Sequence, residues 1–319
     1  MIKVLIVGQG GMGKVHATNF LAIPDVKIVG FVGDNQEVAD EFNVPLYKTI
    51  TEASNQIEID VVDVCTPTFI HKDNVLEAFN NNKHVICEKP LALNSKDVKE
   101  ILQASKDADR LLFVAHVVQF TQETEYLRKL VNEKTYGNVI DATFNRLSSI
   151  PKWVSPWMFD RKKAGLIPFD LHIHDLDLIV SLFGRPKNHR LYKSQGVSQF
   201  PEHFRFIYEY KDHNVLSEAS WFNASYPFSA TWRVVFEYAV VEFNGETVTV
   251  YSQEKEPDIL AFSPEIILDS KINVGETDMY YRELKHFIEC IKSNEPSPLM
   301  REKQLVDVIE ILEEIDKLY

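Results

Sequence analysis

Cysteine is scarce in this chain: Cys65, Cys87 and Cys290 are all it has in 319 residues. Three thiols cannot build a disulfide framework, and none stands at metal-ligand spacing from another. Cys65 and Cys87 lie in apolar, strand-like runs, which marks them as reduced core residues. Positive charge is also short, with 34 Lys plus Arg against 47 Asp plus Glu and a formal net charge of −13. A surface of that sign repels phosphate backbones, so nucleic acid is not an expected partner. No apolar run approaches the roughly 20 residues that span a bilayer. No basic leader precedes the first apolar run at residues 4–7, as a secretory signal requires. Internal repeats and low-complexity linkers are missing too. These absences lead to the expectation of a reduced, cytoplasmic protein with neither membrane nor nucleic acid as partner.

What is present is ordinary globular material, 45% apolar and 25% charged. The length is too great for one core and suits two domains. Residues 4–7 form a continuous apolar run, as in a parallel strand covered on both faces. The run flows into Gly8-Gln9-Gly10-Gly11-Met12-Gly13, a G-x-G-x-x-G pattern, and then into a helix reaching about Phe20. In a dinucleotide-binding turn Gly8 makes the tight bend, Gly10 admits the pyrophosphate, and Gly13 lets helix and strand pack closely. The helix start then presents N–H groups and a positive dipole end to the phosphates.

A second strand over 27–32 ends at Gly33-Asp34-Asn35. Asp34 stands where an acid receives the ribose hydroxyls of NAD, and its charge repels the 2′-phosphate of NADP. No arginine follows to accept that phosphate, so NAD(H) is favoured, with NADP(H) still possible. The competing reading makes Asp34 the cap of a helix beginning near Gln36. Alternation continues with strands over 60–66, 84–88 and 111–115 and helices over 71–81 and 95–108. The pattern predicts parallel βαβ units in a doubly wound α/β sheet.

At the end of the 84–88 strand, Glu88-Lys89-Pro90 puts a lysine where ligands bind an open α/β sheet. Read alone, Lys89 is equally a solvated turn residue. Thr66-Pro67 occupies the corresponding end of the preceding strand. Beyond residue 200, Phe204, Phe206, Tyr208 and Tyr210 alternate at period two. Asp212-His213-Asn214 reads as a turn into a strand over 215–221. A strand over 232–243 meets Asn244-Gly245, a strong hairpin signal, and returns over 247–251. Helices over 280–293 and 302–318 close the chain.

The spacing of the glycine turn, Thr66-Pro67-x-x-x-His71 and Glu88-Lys89-Pro90 resembles the glucose-fructose oxidoreductase/inositol dehydrogenase/MocA family. Gly137-Asn138-Val139 and Tyr281-x-Glu283-Leu284-x-x-Phe287-Ile288 extend the likeness over the whole chain. The resemblance implies an N-terminal Rossmann domain, placed at residues 1–118. It implies a C-terminal α+β domain with an open, mostly antiparallel sheet, placed at 119–319 with its helices over 280–318. Homo-dimers or homo-tetramers through that sheet are also implied. The expected cofactor contacts are Gly8, Gly10, Gly11, Met12, Gly13 and Asp34, together with Thr66, Pro67, His71, Glu88 and Lys89.

Between the halves runs Trp153-x-x-x-Trp157-x-x-Asp160-Arg161, then Asp170-Leu171-His172-Ile173-His174. Asp170 and His174 are four apart, so on a helix they share one face. An imidazole titrating near neutrality serves as a general base, and a nearby carboxylate orients it. The resemblance implies that Lys89, Asp170 and His174 are catalytic in alcohol oxidation or its reverse. His174 takes the hydroxyl proton, Lys89 polarises that oxygen and Asp170 tunes the pair. A surface contact is the competing reading of Asp170 and His174. His116 is a candidate substrate residue or a plain strand end, and Trp157 a stacking platform for a sugar ring or simple packing. His172 with His174 lacks a third ligand at motif spacing, so no metal is expected.

The chain departs from the family pattern at Gly165-Leu166-Ile167-Pro168, at His172, at Gln119, and in having Asp34 one residue late. The expected activity is NAD(P)-dependent hydride transfer at a secondary hydroxyl of a sugar, polyol or inositol-like compound. Two alternatives stand beside it: an NAD-dependent glycoside-cleaving enzyme without net redox, and a non-catalytic nicotinamide-dinucleotide sensor.

Overall fold

The computed structural model describes residues 1–152, 155–253, 255–268 and 277–319; Trp153, which opens the Trp153-x-x-x-Trp157 run, lies outside them. They form two compact units, one of residues 1–120 and 264–309, the other of 121–263 and 310–319.

The first unit holds a six-stranded parallel sheet in the order β3-β2-β1-β4-β5-β6. The strands are β1 (Ile2–Val7), β2 (Val26–Val32), β3 (Leu46–Tyr47), β4 (Val61–Val64), β5 (His84–Glu88) and β6 (Leu112–Ala115). Apart from buried Asp63 in β4 and Glu88 in β5, their cores are apolar on both faces because helices cover both sides. Helices α1 (Gly11–Ala22), α2 (Gln36–Glu41), α3 (Ile50–Gln56), α4 (His71–Asn80) and α5 (Ser95–Ala108) make the connections. Strand order reverses beside β1, so the crevice at the carboxyl ends of β1 and β4 is the ligand position of this topology.

The sequence boundary at 118–119 gave every later residue to the second domain. The first unit instead recovers α9 (Met279–Ser293), which packs on α1. Its buried Tyr280, Leu284, Phe287, Ile288 and Ile291 form a helical stripe that needs an apolar partner. Phe287 supplies the contact, stacking on Phe113 at 4.9 Å and meeting Phe120 edge-on at 5.4 Å.

The second unit is built on an eight-stranded sheet, β14-β13-β12-β11-β7-β10-β9-β8. Its strands are β7 (Val139–Ser149), β8 (Asn188–Gln195), β9 (Pro201–Glu209), β10 (Asn214–Phe222), β11 (Ser229–Phe236), β12 (Ala239–Phe243), β13 (Thr247–Ser252) and β14 (Asp258–Ala261). Only the β7/β10 pair is parallel. Phe204, Phe206 and Tyr208 are fully buried on one face of β9, each worth about 1.5–3 kcal/mol on burial. The single strand expected over 232–243 is two strands, β11 and β12. Glu237 and Tyr238 turn between them because their N–H groups donate to the carbonyls of Asn138 and Tyr136 rather than to a ladder. Helices α6 (Gln122–Glu133), α7 (Arg161–Ala164) and α8 (Ile173–Phe183) belong to this unit. The last helix, α10 (Glu302–Asp316), gives its residues to the first unit up to 309 and to the second thereafter.

Candidate active-site residues

The glycine turn has the shape that its spacing requires. Gly8 has φ +106°, and a Cβ there would sit 2.5 Å from the Cys65 carbonyl oxygen. A Cβ on Gly13 would stand 2.1 Å from the Gly8 carbonyl oxygen, so only glycine lets α1 start this close to β1. At Gly10 the same atom would meet nothing within 4 Å. Gly10 is also the N-cap of α1, with no side chain bonding the first turn and no acid in it. Exposed backbone N–H groups at an uncapped, unacidified helix start fit a dinucleotide pyrophosphate. Gly10 and Gly11 are exposed. Met12 is half-buried instead, packed on Val15, Val117 and Tyr280.

At the end of β2, Asn35 rather than Asp34 caps α2, its side-chain oxygen accepting from Val38 N–H at 3.3 Å. Asp34 stands exposed at the carboxyl edge of the strand. Thr66 and Pro67 follow β4, and buried His71 ties their turn to the next one. Its Nε2 lies 2.8 Å from the Thr66 carbonyl and its Nδ1 2.9 Å from that of Pro90. Burial pulls the imidazole's pKa below its ordinary value against these two carbonyls, and the neutral ring donates to one of them.

Lys89 follows directly on β5 and is joined to Pro90 by a cis peptide bond. From residue 85 to 92 it is the one position that is not buried. Glu88 pairs with Ala115 across β5 and β6, which puts His116 at the same sheet edge as Lys89. His116 and Gln119 are both buried, the latter in a 3-10 turn over Val117–Phe120.

Behind Lys89 lies a network that the sequence reading missed. His16, fully buried on α1, places Nδ1 3.0 and 3.1 Å from the two carboxylate oxygens of Asp63. Its Nε2 lies 3.1 Å from Glu88 Oε1, and Glu88 Oε2 accepts the Lys89 N–H at 3.0 Å. Burial is the largest influence and works against a charge on His16, but Asp63 and Cys65 together outweigh it and raise the pKa well above the ordinary value. Burial likewise opposes ionised Glu88, yet its hydrogen bond to His16 keeps that carboxyl below the usual range. Among the described residues, His16 Nδ1, an Asp63 oxygen and Cys65 Sγ form one group of potential metal ligands, within 4.8 Å of one another. The legible signal was Asp63 itself, an acid inside the apolar run Val61-Val62-Asp63-Val64, which demands a buried partner.

In the second unit Asp170 lies in a π-helical turn over Pro168–His172 and His174 in the first turn of α8. From residue 164 to 180 these two alone are not buried. A single face is therefore open, and both residues are on it. His172 is a core residue. Its ring stacks on Phe206 with centroids 3.7 Å apart, Nε2 lies 2.6 Å from the Tyr208 hydroxyl, and Nδ1 lies 3.3 Å from that of Ser217. Burial, with Arg146 adding, pushes its pKa down to about 3. One turn on, Asp175 accepts two hydrogen bonds from buried Arg146, at 2.8 and 3.0 Å. Trp157 is half-buried in a 3-10 turn over Pro156–Phe159.

Comparison with known proteins agrees with this arrangement. Residues 2–116 match the model of an oxidoreductase family with an NAD-binding Rossmann fold, and residues 124–246 match the GFO/IDH/MocA C-terminal domain. The myo-inositol 2-dehydrogenase of Thermotoga maritima is 28% identical over 188 residues, 57% of this chain and 55% of that protein. A 2,7-anhydro-N-acetylneuraminate hydratase of Escherichia coli is 29% identical over 188 residues, 58% of this chain and 50% of that one. The chain spans about half the length of the curated relatives it matches. A levoglucosan dehydrogenase solved with NADH and levoglucosan shares the fold with a TM-score of 0.86 at 19% identity, over 99% of this chain and 96% of that one. With both halves matched in order, the chain belongs to the Gfo/Idh/MocA oxidoreductase family.

Proposed function

We propose that this protein is an NAD(H)-dependent dehydrogenase acting on a secondary hydroxyl of a sugar, polyol or inositol-like compound. The observation that carries the reading is the placement of Lys89. It is the one accessible residue in a buried strand end, two strands from the glycine turn at the same edge of the sheet. Gly8, Gly10, Gly11 and Gly13 receive the pyrophosphate, and exposed Asp34 receives the ribose hydroxyls while repelling a 2′-phosphate. Met12 packs beneath the turn, and Thr66, Pro67 and His71 shape the adjoining wall.

When bound, the nicotinamide ring supplies the carbon that takes or returns the hydride. The Lys89 ammonium donates a hydrogen bond to the reacting oxygen and favours its developing negative charge. His174 Nδ1 or Nε2 takes the hydroxyl proton, and Asp170 holds the ring and favours its charged form. His116 and Trp157 are the further substrate contacts.

The second unit's open sheet carries Ile140, Tyr192, Tyr251 and Ile259 exposed, which favours a homo-dimer or homo-tetramer formed through it. Among the described residues no helix is long and apolar enough to cross a membrane. Three buried free cysteines favour a reducing, cytoplasmic setting.

The test is a panel of sugars, polyols and inositols with NAD and NADP, read by absorbance of the reduced cofactor. Net, substrate-dependent NADH formation supports the dehydrogenase. Because one relative carries a hydratase name, products are also analysed by mass spectrometry. Turnover without net NADH would identify the non-redox enzyme, and cofactor binding without turnover on any compound the sensor.

A further inference from the structure

Among the described residues, fully buried His16 bonds the Glu88 carboxylate at the strand end next to Lys89. We infer that His16 is a positioning residue for Lys89: bridging Asp63 and Glu88, it fixes the Glu88 carboxylate whose other oxygen holds the Lys89 N–H. This rests on the reading of Lys89 as the group that polarises the reacting oxygen.

The geometry is specific. Both ring nitrogens face carboxylate oxygens at 3.0–3.1 Å, so both carry hydrogen and the ring is an imidazolium. The three members of this bridge come from separate elements: His16 from α1 just past the glycine turn, Asp63 from β4 and Glu88 from β5. The bridge therefore ties the helix that follows the glycine turn to the strand that Lys89 follows. Both oxygens of Glu88 are committed, one to His16 and the other to the backbone of Lys89. That backbone is also held through Pro90, whose carbonyl faces His71 at 2.9 Å.

The surroundings of His16 agree with a built charge cluster. Cys65 Sγ lies 3.3 Å from Nδ1, and burial pushes that thiol up, so it stays protonated. From α9, Tyr280 lies with its ring centroid 6.5 Å away. Glu283 of the same helix is fully buried, with no hydrogen-bond partner for its carboxyl among the described residues. Burial, with Glu88 adding, raises that carboxyl far above its ordinary range, so it stays neutral and adds no third negative charge. A buried ion cluster stabilises a fold no better than well-packed apolar residues of the same volume. Its placement under the reactive lysine is what it provides.

The test uses the full chain with bound NADH. His16→Ala, Glu88→Gln, the double variant and Lys89→Ala are compared in three ways. These are NADH affinity by fluorescence, kcat and KM on the best polyol or sugar of the panel, and amide exchange of the peptide containing Lys89. Sub-ångström misplacement of a catalytic group costs kcat, so His16→Ala and Glu88→Gln each lose about 30-fold or more in kcat. NADH affinity and KM stay within about 3-fold, and exchange at Lys89 quickens. The double variant is no worse than His16→Ala alone, because both act through one bond. Unchanged kcat and exchange in a folded His16→Ala, or losses that multiply in the double variant, would overturn the inference. So would one equivalent of zinc that His16→Ala abolishes, which would make the trio a metal site. If His16→Ala does not fold, near-isosteric Glu88→Gln decides, and full kcat there overturns it. Normal turnover by Lys89→Ala instead sinks the reading of Lys89, and amide exchange alone then decides whether His16 fixes its backbone.

Discussion

The side-chain amide of Gln9 clamps the backbone of Asn35: Gln9 Nε2 donates to the Asn35 carbonyl at 2.6 Å, and Gln9 Oε1 accepts the Asn35 N–H at 2.7 Å. Gln9 belongs to the glycine turn and Asn35 caps α2, so the clamp locks the turn after β1 to the turn after β2. Asp34, the residue between β2 and the cap, is held in register with the phosphate cradle.

Asp34→Ala is therefore expected to erode discrimination against NADP by about 10-fold or more, at one lost charge repulsion of about 1.4 kcal/mol. The ratio of kcat/KM values for NAD and NADP measures it. Stability changes by less than about 0.5 kcal/mol because Asp34 caps nothing. Asn35→Ala, by contrast, costs about 1 kcal/mol in denaturant unfolding. An unchanged cofactor preference would remove Asp34 from the binding set.

Gly13→Ala forces a methyl group against the Gly8 carbonyl, 2.1 Å away, and backbone has nowhere to yield. The expected result is a loss of NADH binding of at least about 10-fold with a stability loss of about 1–3 kcal/mol. Isothermal titration and urea unfolding give the two numbers. Wild-type affinity in this variant would mean that the cradle does not hold the cofactor.

Lys89→Ala and His174→Ala should each lower kcat by about 10²–10⁴-fold while NADH affinity stays within a few-fold. Their single-turnover rates on the panel substrate report the chemical step directly. If either variant turns over normally, the role given to that residue is wrong.

His172 makes stability depend on pH in a predictable direction. Its folded pKa is about 3 against 6.5 unfolded, so the unfolded chain takes up the proton first as pH falls. Stability present above pH 6.5 is lost progressively toward pH 3, about 2 kcal/mol of it by pH 5. Replacing His172 by Gln removes the titration. The drop in unfolding free energy between pH 7 and pH 5 should then be smaller in the variant by about that amount. Equal drops would show that His172 is not the buried neutral ring described above.

Arg146 and Asp175 form a buried, two-bonded ion pair, at 8% and 3% exposure. Arg146→Met or Asp175→Leu alone strands a charge and should cost about 3–5 kcal/mol, whereas the double replacement recovers most of it. A double-mutant cycle in guanidinium measures the coupling, and additive losses would rule it out.

The local part of this protein is legible in its sequence. Continuous apolar runs at 4–7 in β1 and 85–87 in β5 specify buried parallel strands, since nothing else hides both faces of such a run. The glycines at 8 and 13 declare a backbone approach that no other residue permits, and period-two aromatics at 204, 206 and 208 declare a one-sided sheet. The i, i+4 spacing of Asp170 and His174 anticipated one open face, although a π turn delivers it.

Tertiary structure alone decided what depends on distant neighbours. Whether Asp34 or Asn35 caps α2 turned on the Gln9 clamp, and whether His172 faces solvent turned on Phe206 and Tyr208, more than 30 residues away. The return of α9 to the first unit depended on an aromatic surface at Phe113 and Phe120 that no local pattern encodes. The meeting of His16 with Asp63 and Glu88 likewise joins residues 47 and 72 apart, which no local pattern encodes. The sequence could announce that an acid inside a buried strand needs a partner, because desolvation is a local cost. Which histidine answers that need is set by where a helix and two strands come together, and that is a property of the fold.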